Sequence, residues 1–267
     1  MREQRRPIGS AYKFKASDFA RLKLRKIMQM IQGLDIDAFL GWARDPFGTQ
    51  DTFRVQTALM TAENRAKMLK CMTDVIMAQP TFVEIYDERY NPPLSSQSEL
   101  LAYPEGSLGR LLGIHLQSNQ IEMDFAGLDT SMFYRADTTA VSYLAARSLR
   151  CHDIFHVVLG LTTSPIDEYK LFSFQLAQYP TSYHAVLMAG AYLQIAFYRP
   201  SEISLFLDAM SDYRRIGQRA RFFPGYKFEE RWSLPIGDVR AELNVSLDLE
   251  PSKRISDARE AQSGLDR

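Results

Sequence analysis

"CHDIFHVVLGLTTSPIDEY", residues 151–169, sets two histidines four residues apart, ends their helical pattern at a glycine, and opens a second pattern at Ser-Pro. A helix capped by Asp137 or Thr138 would run on to Leu159, with Gly160 placed to end it. Ala145, Leu149, His152, His156 and Leu159 would then share one inward face. Ser164, Pro165 and Asp167 supply a serine cap, a proline at the first helical position and an acid three residues after the cap. The stretch therefore predicts a helix hairpin. His156 lies four residues before Gly160 and Glu168 four after Ser164, so each sits about 6 Å from the turn. Antiparallel return brings Glu168 level with His156, and His152 lies one turn below. Two histidines and a glutamate form the donor set of zinc sites that keep a coordination position open. Glu168 also falls in the first turn of its helix, where the dipole favours an ionised carboxylate. A polar hydrogen-bonded cluster tying the two helices together would use the same residues.

Outward from this stretch the pattern stays helical. Residues 17–44 and 52–78 read as amphipathic helices, with Phe19, Leu22, Ile27, Ile31 and Val55, Leu59, Met68, Met72, Ile76 at spacings of three and four. The segment 79–110, rich in Pro, Ser and Gly, reads as one long connection. Helical patterning resumes over 138–159, 165–178, 181–198, 201–216 and 231–243. The stretch 184–198, "HAVLMAGAYLQIAFY", is the most apolar and is shorter than the roughly 20 residues that cross a bilayer. It suits a core helix, a wall of a lipid cavity or a segment lying in the membrane interface. His115 and His184 stand apart from the motif and read as ordinary polar or packing residues.

The expected fold class is all-α, a single multi-helix domain over 17–249 with a metal-binding helix hairpin. A basic arm precedes it at 1–16 and a polar, frayed tail follows at 250–267. The first 26 residues carry nine lysines or arginines, which suits a basic arm near an anionic membrane or an organelle presequence interrupted by Pro7. Over the whole chain of 267 residues, 32 basic side chains balance 32 acidic ones, so no global field recruits nucleic acid. Two cysteines, Cys71 and Cys151, form no disulfide framework, which points to a reducing, intracellular compartment.

His152, Asp153, His156 and Glu168 spell His-Asp-x-x-His-(x)11-Glu. This resembles the signature of the Coq protein family, fourth member, of coenzyme Q (ubiquinone) biosynthesis. "PEGSLGR", residues 104–110, with Glu105, Gly106 and Arg110, is similar to a family block upstream of the metal helix. Tyr143 and Arg147 fit the approach to the histidines, although helical geometry turns them away from the histidine face toward packing and charge pairing. Gly217, Ala220, Glu229, Arg231, Trp232, Arg240 and Leu243 fit the C-terminal pattern, and together the blocks cover roughly residues 20–245. Arg150, Phe172 and Gln175 depart from it, which leaves the ring substrate open.

The resemblance implies an all-helical fold and a bound divalent metal, commonly zinc. It also implies a surface for polyprenyl quinone precursors or other isoprenoid lipids, and contact with other quinone-biosynthesis proteins. A homodimer is compatible with it. The expected place is the cytoplasmic face of the inner membrane in a bacterium, or the matrix face in a mitochondrion. The implied reaction is metal-dependent, oxidative removal of the C1 carboxylate of a polyprenylated hydroxybenzoate. The alternative is a lipid-binding scaffold that organises the pathway enzymes.

Asp153 occupies the position that helical zinc proteases give to a glutamate. It would be a fourth ligand or a proton-transfer residue, and the resemblance favours ligand. The adjacent pair His152-Asp153 also suggests a phosphohydrolase of the His-Asp superfamily. That chemistry needs an upstream histidine and a downstream aspartate on separate helices, and His115 reads as lying beside a loop.

Overall fold

A computed structural model describes residues 62–93, 95–121, 135 and 137–247, together with positions 41 and 44. The arm 1–16, the tail 250–267, nearly all of the helix expected at 17–44 and the first part of 52–78 lie outside the described residues. Ten α-helices and three short 3-10 turns are the regular elements among the described residues, which form one all-α domain. They are α1 (Ala62–Met77), α2 (Pro80–Asp87), α3 (Gln97–Leu101), α4 (Leu108–Asn119) and α5 (Ala140–Arg150), followed by α6 (His152–Leu159), α7 (Pro165–Gln178), α8 (Ser182–Tyr198), α9 (Ile203–Arg219) and α10 (Ile236–Glu242).

The expected connection at 79–110 is corrected to two helices and the start of a third. Pro80, Ser96 and Ser107 within it are helix starts. Pro80 opens α2. Ser96 and Glu99 form a capping box, with Ser96 N–H donating to the glutamate at 2.6 Å and Glu99 N–H donating to the serine at 3.3 Å. Ser107 caps α4, whose Leu108, Leu112 and Leu116 are fully buried. At eight and five residues, α2 and α3 are too short to display a helical period.

The continuous helix expected over 138–159 is two helices. Its cap is Thr139, one residue later than expected, and the helix breaks at Cys151, whose φ of −96° and ψ of 4° leave the helical region. The two halves pack into different cores. Tyr143, Leu144 and Ala146 of α5 join Ile76, Phe82 and Ile85. Cys151, Phe155 and Val158 join Leu108, Leu112, Phe174 and Phe223. The turn also overturns the single inward face: Ala145 and Leu149 are exposed, whereas Tyr143 and Arg147 are fully buried.

Helix α7 lies at the centre. Leu171 and Phe174 face the core of Leu108, Leu112 and Phe223, while Tyr169 and Phe172 join Leu187, Met188, Phe206 and Met210 of α8 and α9 in a third. A helix buried nearly all round must satisfy its polar groups internally. Accordingly Ser173 donates to Met210 O at 2.7 Å, and Gln178 donates to Gly217 O at 2.6 Å while accepting from Phe223 N–H at 2.9 Å.

Candidate metal centre

Gly160 ends α6 in the left-handed region (φ 65°), and Leu161 N–H closes back onto His156 O at 2.8 Å. Arg240 donates to Val158 O at 2.8 Å, so the exposed end of α6 is fastened to α10. The start of α7 differs from expectation. Ser164 is the cap residue, but its side chain makes no cap hydrogen bond. Asp167 supplies the order instead, accepting from Thr162 N–H at 2.8 Å and from its hydroxyl at 2.6 Å.

This turn brings His152, His156 and Glu168 together, with one possible ligand atom from each inside a 4.8 Å span. His156 Nε2 lies 3.2 Å from Glu168 Oε1, His152 Nε2 lies 3.4 Å from Glu168 Oε2, and the two Nε2 atoms are 3.2 Å apart. With Glu168 ionised, protons alone cannot satisfy this triangle. If both imidazoles donate to the carboxylate, their N–H groups face each other. If one histidine donates to the other, the acceptor's lone pair is spent and its contact with the carboxylate has no proton. A single cation would accept all three lone pairs at once. Metal–ligand distances of about 2.0–2.1 Å in a tetrahedron place ligand atoms roughly 3.3–3.4 Å apart, close to the spacings observed. The three side chains fit a divalent ion such as zinc.

The electrostatics agree with the donor chemistry. Burial by itself would raise the Glu168 carboxyl, yet hydrogen bonds and charge from His152 and His156 outweigh it and hold the group at about 2. Burial opposes charging of His152, but Glu168 and then Asp153 raise it. His156 is sealed from solvent, whereas the His152 side chain keeps 32% of its surface, so the cluster opens on that side.

Asp153 does not join the converging atoms. Its Oδ1 lies 3.2 Å from His115 Nε2, and the His115 ring stacks on His156 with centroids 5.8 Å apart. His115 is thus a neighbour of the site, correcting its reading as a residue apart. It was missed because α4 was missed, and it lies well inside that helix rather than beside a loop. His184 is a packing residue, as expected, though it lies near His152. It stacks on Phe172 at 5.1 Å, and burial followed by the nearby His152 lowers it to about 3.

The other pattern residues are placed as scaffold. Tyr143 donates to Ile85 O and Tyr90 O, and Arg147 pairs with Glu229. Arg110 donates to Leu101 O. Gly106 takes a positive φ of 74°, Glu105 is exposed, and buried Trp232 accepts Gly109 N–H through its carbonyl at 2.9 Å. Asp167, occupied with Thr162 and Lys170, does not enter the cluster, and no other downstream aspartate does so among the described residues. A His-Asp phosphohydrolase therefore lacks its final acid here.

A model of the family described as "Coenzyme Q (ubiquinone) biosynthesis protein Coq4" matches residues 50–248. The chain is similar to "Ubiquinone biosynthesis protein COQ4 homolog, mitochondrial" of Rattus norvegicus, 27% identical over 180 residues, covering 67% of this chain and 66% of that protein. The same description from Bos taurus is 24% identical over 208 residues, 77% of this chain and 75% of the relative. The match thus spans slightly under two thirds of the rat protein's own length. The fold is similar to a crystal structure, at 2.85 Å resolution, of a Nostoc punctiforme PCC 73102 chain described as a ubiquinone biosynthesis protein. That likeness has a TM-score of 0.62 at 22% identity and covers 78% of this chain and 95% of the other.

Proposed function

The chain belongs to the coenzyme Q (ubiquinone) biosynthesis protein Coq4 family, and on that premise we propose that it acts in coenzyme Q biosynthesis as a metal-dependent C1 decarboxylase. Its substrate is a polyprenylated hydroxybenzoate, met at a membrane surface. The observation that supports this reading is the His152, His156 and Glu168 triangle, which protons cannot satisfy and a cation can.

A divalent cation, when bound, supplies positive charge for a phenolic or carboxylate oxygen of an aromatic acid. His152, His156 and Glu168 hold it. The partial exposure of His152 leaves an approach for the ring, and buried His156 closes the other side to water. As the bond from C1 to the carboxylate breaks and carbon dioxide leaves, an electron pair remains on the ring carbon. Asp153, backed by His115, is the group beside the site that can deliver a proton there. Among the described residues no helix is long and apolar enough to cross a membrane, so the membrane contact proposed is peripheral. We place it on the matrix face of the inner mitochondrial membrane, or on the cytoplasmic face in a bacterium, among other quinone-biosynthesis proteins.

A second reading, a lipid-binding scaffold, draws support from the apolar side chains around the junction of α8 and α9. Phe197, Tyr198 and Leu205 are 77%, 67% and 57% exposed, with Ile203 and Leu207 beside them. A strain producing folded His152→Ala or Asp153→Asn protein at normal abundance separates the two. The enzyme predicts accumulation of a polyprenylated aromatic acid that retains its C1 carboxylate. Normal quinone levels with a folded, metal-free variant would overturn catalysis and leave the scaffold.

A further inference from the structure

Phe197, Tyr198, Ile203, Leu205 and Leu207 leave apolar surface open where α8 ends and α9 begins. The short turn Pro200–Glu202 joins the two helices, so these side chains follow one another closely on either side of it. A single exposed leucine needs no account, but a cluster of large apolar side chains marks a surface that something covers.

The chain's own N-terminal side reaches this place. Gly41 and Arg44 are helical, and Gln194 Nε2 on α8 stands 3.5 Å from Arg44 O. Phe197 and Tyr198 follow Gln194 at three and four residues, the spacings that share a helix face. The chain therefore enters the described fold within about one helical turn of the open surface.

The sequence ahead of that point suits the surface. Residues 17–40 carry Phe19, Leu22, Ile27 and Ile31 in an amphipathic pattern, with Phe39 and Leu40 immediately before Gly41. An amphipathic helix is marginal by itself in water and gains its stability by burying its apolar face. As a helix this segment would span about 36 Å, against about 10 Å for two turns at the end of α8 and as much again for two at the start of α9. Tethering decides between the segment and a second copy of the chain. A short tether holds its partner at an effective concentration in the millimolar range, which a separate chain in dilute solution does not match.

We propose that residues 17–40 lie on the apolar surface of α8 and α9 and cover it in the free protein, fastened beside it where Gln194 meets Arg44. The lipid-binding reading draws on the same side chains, which this cover takes out of contact with lipid.

Hydrogen exchange of the full chain, followed by mass spectrometry, tests the cover. Amides within 17–40 are expected to exchange at least about tenfold more slowly than an unstructured segment, equally at low and high protein concentration and without lipid. Phe197→Asp with Leu205→Asp alters two exposed side chains and is expected to lose that protection while helical circular dichroism is kept. From the other side, Ile27→Asp with Ile31→Asp should lose it too and raise hydroxyl-radical labelling of Phe197 and Tyr198. Exchange of 17–40 at the unstructured rate, protection that survives the changes on α8 and α9, or labelling that the segment changes leave unaltered would overturn the proposal. So would protection that appears only as the chain dimerises at high concentration, which assigns the surface to a second copy, or only with anionic phospholipid vesicles present, which assigns it to lipid.

Discussion

Arg147 and Glu229, 82 residues apart, form a two-pronged ion pair in the interior, with Arg147 Nη2 2.9 Å from Glu229 Oε2 and Nη1 on Oε1. The arginine is fully buried and also donates to Tyr226 O at 2.7 Å. Arg150 Nε adds a second positive charge 3.4 Å from the same carboxylate. The pair pins the last turn of α5 to the C-terminal segment immediately before Cys151, where α5 ends and the histidine helix begins.

Removing one partner of a buried pair strands the other charge, so Glu229→Gln and Arg147→Met should each cost about 3–5 kcal/mol. Urea denaturation reads the loss as a lower midpoint. An unchanged midpoint in both variants would show that the pair contributes nothing to stability.

The same carboxylate gives the stability an acid limb. Burial would raise it, but Arg147 first and Arg150 further hold Glu229 below its ordinary 4.5. A carboxyl lowered in the folded state contributes fully above its unfolded value and loses that contribution as pH falls through its folded value. The gap in urea midpoint between the unaltered chain and Glu229→Gln should therefore shrink as pH drops below 4.5. A gap that stays constant through that range would contradict the assignment.

Gly217 lies where α9 crosses α7. A Cβ there would stand 2.6 Å from Phe174 O and 2.9 Å from the Ala177 Cβ, both on the central helix. Gly217→Ala should force the helices apart and cost about 1–3 kcal/mol. Calorimetry should show a lowered Tm, and a raised one would mean that the crossing tolerates the methyl.

Cys151 is buried and Cys71 exposed, and burial foremost pushes the Cys151 thiol up to about 12. A maleimide should label one thiol of the folded chain and two after denaturation. Equal labelling of both in the native state would show that the α5 to α6 turn opens.

The hairpin was legible because Gly160 and Ser164-Pro165 are explicit stop and start signals and the spacing from each fixes the level of a side chain. The helices α7 and α8 were read within a residue of their ends for the same reason. The Cys151 turn was not legible, since no proline or glycine marks it. It arises from packing of the two halves into separate cores. His115 escaped because its relation to Asp153 joins residues 38 apart and depends on α4, whose pattern was overlooked. The signal was available: Ser107 followed by Leu108, Leu112 and Leu116 is a capped helix with a single apolar stripe. His184 had no local signal, for its place beside the cluster comes from α8 packing on α7.

In the function proposed above, His152, His156 and Glu168 bind one divalent ion. Elemental analysis of the purified chain, alongside His156→Ala and Glu168→Ala, tests it most directly. About one ion per chain is expected in the unaltered protein, with its loss from both variants while their helical circular dichroism is retained. Equal metal content in all three proteins, or none in the unaltered chain after growth and purification with added zinc, would contradict it.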